Sequence, residues 1–155
     1  MTIKKQKITP FLWFDGKAEE AANFYVSNFN DSRMKSLMRG PDGKVMSAIF
    51  QLEGQQFYAL NGGPQFHFTE AISLFVNCGT QQEVDELWDR LSAGGNKSRC
   101  GWLKDKYGLS WQIIPSVLGK YLQDKDAAKS KRVMQAMLQM DKIDIKRLKQ
   151  AYNGR

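Results

Sequence analysis

Two consecutive segments of this chain carry the same order of predicted elements. Each has an apolar β-type run, a glycine turn, an amphipathic helix and further β-type runs. Because Gly79 stands 63 residues after Gly16, the segments align without gaps through the first strand and the helix. An internal repeat of this kind predicts two similar βαβββ modules, and it constrains the fold more than any other feature of the chain.

In the first segment, the pattern predicts a strand at Ile8 to Phe14 and a helix at Ala18 to Asn28. Three strands are expected to follow, at Arg33 to Met38, Val45 to Leu52 and Gln56 to Asn61. The turn Gly40-Pro41-Asp42-Gly43 separates the first two of these strands.

In the second segment, a strand at Ala71 to Cys78 precedes a helix at Gln81 to Ala93. Thr80 and Glu83 form a capping box at the start of that helix, and Gly94-Gly95 ends it. The repeat predicts one further strand after this helix, for which the sequence pattern is weak. A hairpin follows, with strands at Cys100 to Leu103 and Leu109 to Ile114 and a turn in which Gly108 takes positive φ. At the 63-residue offset, Phe11 aligns with Leu74, Leu12 with Phe75 and Trp13 with Val76.

The composition changes after the repeat. Two short helices are predicted, with apolar faces formed by Met134, Met137 and Leu138 and by Ile145, Leu148 and Tyr152, the second N-capped by Asp144. These faces must cover either the domain body or a second subunit, and we expect a homodimer. The resulting organisation is a domain at 8–118, with repeats at 8–61 and 71–115, and a C-terminal helical extension at 119–155.

The net charge of +7 belongs mostly to this extension, where ten basic and four acidic residues follow Gly119. A basic helix is more often a solvated face than a phosphate-binding one, and no nucleic-acid-binding module is recognised, so nucleic acid is an unlikely partner. The sequence lacks a membrane-span-length apolar run and a signal-peptide pattern, and it has only two cysteines. We therefore expect a cytoplasmic protein.

Several motifs carry a family resemblance. They are Asn61-Gly62-Gly63-Pro64, Glu70-Ala71-Ile72-Ser73, Gln82-Glu83-Val84-Asp85 with Trp88, and Cys100-Gly101-Trp102-Leu103-Lys104-Asp105 followed by Gly108 and Trp111-Gln112. On these residues the chain resembles the PhnB-like branch of the vicinal oxygen chelate superfamily, to which glyoxalase I, extradiol dioxygenases and bleomycin-resistance proteins belong. The resemblance implies an α+β fold of paired βαβββ modules, the glyoxalase/bleomycin resistance/dioxygenase fold.

Members of this branch often carry the label 3-demethylubiquinone-9 3-methyltransferase. The sequence has no glycine-rich strand-to-helix turn that would hold a nucleotide-like cofactor, and the repeat leaves no room for a doubly wound sheet. We therefore expect no cofactor and disfavour the methyltransferase activity.

The resemblance also implies positions for metal ligands on the first and last strands of each module. Carried onto this sequence, they fall at Thr9 and Ala71, near Tyr58 or Ala59, and at Gln112. Only Gln112 is a credible ligand type, and a single neutral amide does not hold a catalytic metal. The one histidine, His67, follows the Gly-Gly-Pro break and matches none of these positions. No metal is expected.

Alternation along the strands predicts a lining for a small-molecule site. Thr9, Phe11 and Trp13 are expected to share one face, and Ala71, Ser73, Phe75 and Asn77 another, together with Gln112. The candidate ligand-binding residues are Trp13, Tyr58, Phe75, Trp102 and Gln112. The alternative for the aromatic residues is that they fill a core. Cys100 is interpreted as a structural thiol, and Asp105 and Lys106 as turn residues.

Three functions remain after this reading. The first is a metal-independent protein that binds a small molecule as a dimer. The second is a superfamily enzyme of lyase, isomerase or dioxygenase type with a non-standard site, although the sequence identifies no catalytic residue. The third, and least favoured, is a nucleic-acid binder.

Overall fold

The computed structural model describes residues 5–155, which divide into two compact units, the first ending at Phe68 and the second spanning Thr69–Arg155. The first unit contains β1 (Phe11–Phe14), α1 (Ala18–Val26), β2 (Arg33–Arg39), β3 (Val45–Leu52) and β4 (Gln55–Asn61). Its sheet has the order β1-β4-β3-β2, in which only β1 and β4 are parallel. This is the βαβββ module that the repeat predicts.

The back face of the first sheet packs against α1. Leu12, Phe50 and Phe57 are buried on this face, and Ala21 and Ala22 of the helix are fully buried. Alanine at both helix positions lets the helix approach the sheet closely, because neither side chain extends beyond its Cβ. The opposite face, here called the front face, carries Phe11, Tyr58 and Ile49 in one row across β1, β4 and β3.

The second unit repeats the module and adds helices. It contains β5 (Ser73–Cys78), α2 (Gln81–Ser92), β6 (Asn96–Lys97), β7 (Trp102–Lys104), β8 (Ser110–Pro115), α3 (Ser116–Leu122), α4 (Ala127–Met137) and α5 (Ile145–Tyr152). The strand order is β5-β8-β7-β6, with β5 and β8 parallel. The predicted α+β fold of two βαβββ modules followed by C-terminal helices is confirmed. The strand after the helix is full length in the first module and has only two residues in the second.

The predicted capping box of α2 is present. Thr80 Oγ1 accepts a hydrogen bond from the Glu83 backbone N–H at 3.1 Å, and Glu83 Oε2 accepts one from the Gly79 N–H at 2.8 Å. Gly94, with φ of 75°, follows the end of the helix as expected. The sequence predicts the capping box and the glycine after α2 correctly because both depend only on neighbouring residues.

The 63-residue alignment is correct for the helices and wrong for the first strands. Ala21 and Val84 are both buried, as are Tyr25 and Trp88. In the strands, however, Leu12 is 3% exposed on the back face whereas its predicted counterpart Phe75 is 53% exposed. Side chains alternate between faces, so an offset that is wrong by one residue exchanges the two sides of the strand. Phe75 corresponds in position to Phe11.

The C-terminal segment forms three helices instead of the predicted two, and the first begins at Ser116, before the predicted boundary at 119. The buried residues of these helices and of the connection between α4 and α5 pack with Ile114 of β8 in one core: Leu118, Val133, Met140, Ile143 and Leu148. The predicted apolar face of α4 is wrong for Met134 and Leu138, which are 41% and 49% exposed. The buried face of α4 instead runs through Val133, with Met137 packed at its edge. No helix among residues 5–155 is long and apolar enough to cross a bilayer.

Candidate functional site

The hairpin of the second unit is held by a buried carboxylate. Asp105 Oδ1 accepts hydrogen bonds from the backbone N–H groups of Tyr107 and Leu109, at 2.8 and 3.1 Å, and Oδ2 accepts one from Trp111 Nε1 at 2.9 Å. Asp105 is 2% exposed. Asp105 lies at the turn of the hairpin, as the sequence predicts. Its hydrogen bonds also hold this turn against the second strand, which carries Trp111.

Three predicted site residues lie side by side on one face of the second sheet, which is equivalent to the front face of the first sheet. Gln112 of β8 is paired with Phe75 of β5 on one side and with Trp102 of β7 on the other. The backbone pairing therefore places an amide between two aromatic side chains in a single row. The row occupies the same place in its sheet as Phe11, Tyr58 and Ile49 occupy in theirs.

This row forms one wall of a cavity of about 250 Å3. The sheet and hairpin contribute Phe75, Cys100, Trp102, Gln112 and Ile114, and the C-terminal helices contribute Leu118, Gly119, Leu122 and Met137. None of the lining residues is acidic or basic. The sequence predicts the first wall through strand alternation, but it contains no local signal for the second.

Gln112 is the main polar group of this cavity. Its Nε2 donates a 2.9 Å hydrogen bond to Ser73 Oγ on the neighbouring strand. Among residues 5–155, no hydrogen bond reaches its Oε1. The amide oxygen can therefore accept a hydrogen bond from a ligand that enters the cavity.

The two remaining predicted residues belong to the first unit, where they have different surroundings. Tyr58 lines a cavity of about 430 Å3 on the front face, with Phe11 packed edge-on at 5.8 Å and the apolar side chains of Met38, Ile49 and Leu60 around it. Trp13 is not part of that lining. Its Nε1 donates to Gly63 O at 2.9 Å, and its ring leaves no space for a Cβ at Gly62.

The structure describes the carried-over metal-ligand positions within each unit separately. Ala71 lies before β5, and Ala59 is fully buried on the back face of the first sheet. The side chain beside Gln112 is the hydroxyl of Ser73, two residues after Ala71. Within residues 5–155, no group of three or more His, Cys, Asp or Glu side chains is placed to hold a metal ion. His67 is exposed.

The cysteines have contrasting positions. Cys78 is fully buried, and its burial, with the nearby charge of Glu83, raises the pKa of its thiol to about 12. Cys100 lines the cavity and takes a left-handed backbone conformation with φ of 58°. The sequence predicts Cys100 at the start of a strand, but β7 begins two residues later because Cys100 and Gly101 form a left-handed turn.

A second concavity of the second unit, about 530 Å3, follows β6 and β7 and carries Lys97, Arg99 and Lys104. Lys104 forms an ion pair with Glu70, and the hydrogen bond from Lys104 holds the pKa of that carboxyl below its usual value. Sequence reasoning does not identify this groove, because its lining combines Glu70, the two-residue edge strand β6, the turn after it and residues of β7 and β8, which only the tertiary structure brings together.

The model of the family described as 3-demethylubiquinone-9 3-methyltransferase matches residues 6–114 of the chain. A solved structure described as a putative 3-demethylubiquinone-9 3-methyltransferase, PhnB protein, from Bacillus cereus is 40% identical, with a TM-score of 0.68, and the match covers 72% of this chain and all of that one. A search of curated proteins found no match.

Two more distant structures share the fold. Protein PA1353 from Pseudomonas aeruginosa is 17% identical with a TM-score of 0.61, over 72% of this chain and 98% of its own. The fosfomycin resistance protein FosX from Listeria monocytogenes is 14% identical with a TM-score of 0.52, over 76% of this chain and 98% of its own. At these identities the similarity concerns the fold alone.

Proposed function

Because this chain belongs to the 3-demethylubiquinone-9 3-methyltransferase family, the PhnB-like branch of the vicinal oxygen chelate superfamily, we propose that it binds a small molecule without a metal ion. We also propose that the protein is cytoplasmic and functions as a homodimer. The observation that carries it is the cavity in which Gln112 lies between Phe75 and Trp102.

The lining indicates the class of ligand. Its walls are aromatic and aliphatic, and it contains no acidic or basic side chain, so a charged ligand group would lose its hydration without gaining a counter-charge. The Gln112 amide oxygen accepts one hydrogen bond. The ligand that fits best is uncharged, with an aromatic or aliphatic body and one N–H or O–H donor.

Two other activities are less well supported. A lyase, isomerase or dioxygenase of this superfamily with a non-standard site needs a group that moves a proton or activates a substrate, and only the Cys100 thiol in the lining is of that kind. Methyl transfer from a nucleotide-like cofactor needs a glycine-rich turn between strand and helix. Each of the turns that lead into α1 and α2 contains a single glycine, Gly16 and Gly79.

The experiment is a ligand titration followed by nuclear magnetic resonance on 15N-labelled protein. We expect uncharged aromatic amides, such as benzamides, to shift the indole N–H resonance of Trp102, assigned with the Trp102→Phe variant. The resonances of Trp88 and Trp111 are internal controls, because both side chains are buried and neither lines the cavity. Absence of a Trp102 shift across the series contradicts the proposal. Light scattering on the same sample tests the dimer, which requires twice the 17.7 kDa chain mass.

A further inference from the structure

We propose that the C-terminal helices determine which ligands the cavity accepts, and that Leu122 and Met137 are the specificity-determining residues. This inference rests on the proposed function. It starts from the division of the lining. The sheet and hairpin supply the polar group and the aromatic residues, whereas α3 and α4 supply aliphatic residues, here called the aliphatic wall.

The aliphatic wall lies outside the residues that match the family model. The family model ends at residue 114, and the Bacillus cereus protein is covered completely by 72% of this chain. Gln112 and the aromatic row therefore lie within the shared region, while Leu122 and Met137 follow it. Two members that share the row but differ after residue 114 are expected to differ in the shape of the cavity and not in its hydrogen-bonding group.

The wall is fixed to the hairpin by a specific backbone arrangement. Cys100 and Gly101 are both left-handed, with φ of 58° and 81°, and their N–H groups donate to Met140 O at 2.8 Å and Asp141 O at 2.7 Å. A Cβ at Gly101 would stand 2.9 Å from the backbone oxygen of Ile113, and the positive φ of 81° also favours glycine at this position. The connection between α4 and α5 is thereby held against the hairpin.

Further hydrogen bonds join the C-terminal segment to α2 and join α4 to α5. The Gln81 side chain of α2 donates to Ile143 O at 3.0 Å and accepts from the Ile145 N–H at 2.8 Å. Arg132 of α4 donates to the backbone oxygens of Ala151 and Tyr152, at 2.8 and 2.9 Å. A wall positioned by this many polar contacts and by a shared core holds its shape when a ligand binds.

Leu122 and Met137 are the members of the wall that are available to a ligand. Leu118 is buried in the helical core, whereas Leu122 and Met137 are only partly buried and line the cavity. Both side chains line the same cavity as the Gln112 amide, and neither offers a polar partner to a ligand. They therefore limit how long an apolar substituent can be on a ligand that is hydrogen-bonded to Gln112.

The test uses a series of 4-alkylbenzamides of increasing chain length, with affinities measured by calorimetry. For the full-length protein, affinity should rise about fourfold for each added methylene until the chain reaches the wall, and then fall. Met137→Ala should move the best chain length upward, and Leu122→Phe should move it downward. Because the two variants change the wall in opposite directions, one of them tests the inference even if the other does not fold.

Matched controls are available in the same helix and its end. Met134→Ala removes a methionine of α4 that is 41% exposed and outside the lining, and Leu138→Phe changes a leucine that is 49% exposed. Neither should alter the preferred length. If Met137→Ala and Leu122→Phe both keep the wild-type preference, the inference is wrong and the proposed function stands. If the wild-type protein binds none of the benzamides, the proposed function is wrong and this inference falls with it.

Discussion

Trp111 Nε1 donates a 2.9 Å hydrogen bond to Oδ2 of Asp105, across the turn of the hairpin and inside the second unit, where both side chains are 2% exposed. The same carboxylate accepts two backbone N–H groups of the turn through its other oxygen. The strand that carries Gln112 is therefore hydrogen-bonded to the turn through Trp111, the residue immediately before Gln112. The strand that carries the candidate ligand-binding amide is therefore held by a buried carboxyl group that is not part of the cavity lining.

Asp105→Asn should lower the free energy of unfolding by about 1.5–3 kcal/mol, because a neutral amide cannot offer acceptors to all three donors. Guanidinium unfolding followed by tryptophan fluorescence measures the change. Asp89→Asn is the control, since Asp89 is exposed and its 3.7 Å pair with Lys97 is on the surface, where such pairs contribute little. Equal losses in the two variants would show that the buried bonds are not important for stability.

Gln112→Leu should weaken the binding of uncharged aromatic amides by about 1–3 kcal/mol, because a ligand donor loses its acceptor. The unfolding midpoint should change little, since Ser73 is only partly buried and can bond to water instead. Ser73→Ala is the companion variant, which removes the internal partner of the amide and keeps Oε1. A lower midpoint with unchanged affinity in Gln112→Leu would instead assign the amide a structural role.

The buried thiol of Cys78 should make stability depend on alkaline pH. Its pKa is raised from 9.0 to about 12 in the folded chain, so the folded state keeps a proton that the unfolded state loses. This contribution is fully present below pH 9.0 and is lost as the pH rises toward 12. Unfolding free energies in that interval should fall more steeply for the wild type than for Cys78→Ala. Parallel curves would contradict the expectation.

Leu148→Ala should destabilise the protein by about 2–5 kcal/mol, because it opens a cavity in the core that joins the C-terminal helices to β8. Leu138→Ala removes the same atoms from a side chain that is 49% exposed and should cost far less. Thermal melting of both variants makes the comparison. Similar midpoints would mean that the helices do not share a cooperative core with the sheet.

The purified protein should contain no stoichiometric divalent metal. The reason is chemical: Gln112 and Ser73 are neutral, and Thr9 and Ala71 at the carried-over positions offer no strong ligand. Elemental analysis of protein that has not been exposed to chelator is the measurement. About one zinc, nickel, iron or manganese per chain, or binding of benzamides that a chelator abolishes, would contradict it.

Much of the fold follows from local signals in the sequence. The capping box at Thr80, the glycine after α2 and the turn glycine Gly108, whose φ is 88°, act through residues that are close in the chain, so the sequence reveals them directly. The repeated pattern of Ala21 with Val84 and of Tyr25 with Trp88 predicts two equivalent helices for the same reason. The grouping of Phe75 with Gln112 on one strand face follows from alternation alone.

Other features depend on residues far apart in the chain, and only the tertiary structure determines them. The helices of the two repeats align at an offset of 63 residues, whereas the first strands align at 64, as Phe11 and Phe75 do. The hydrophobic pattern does not reveal this difference of one residue between strand and helix. The sequence groups Trp13 and Tyr58 in one lining, but Trp13 is outside the lining of the Tyr58 cavity and donates its indole N–H to Gly63 O. The aliphatic wall at Leu122 and Met137 exists because the left-handed turn at Cys100 and Gly101 receives a segment about forty residues later in the chain. Periodicity describes which side of an element is apolar, but long-range packing decides which partner covers it.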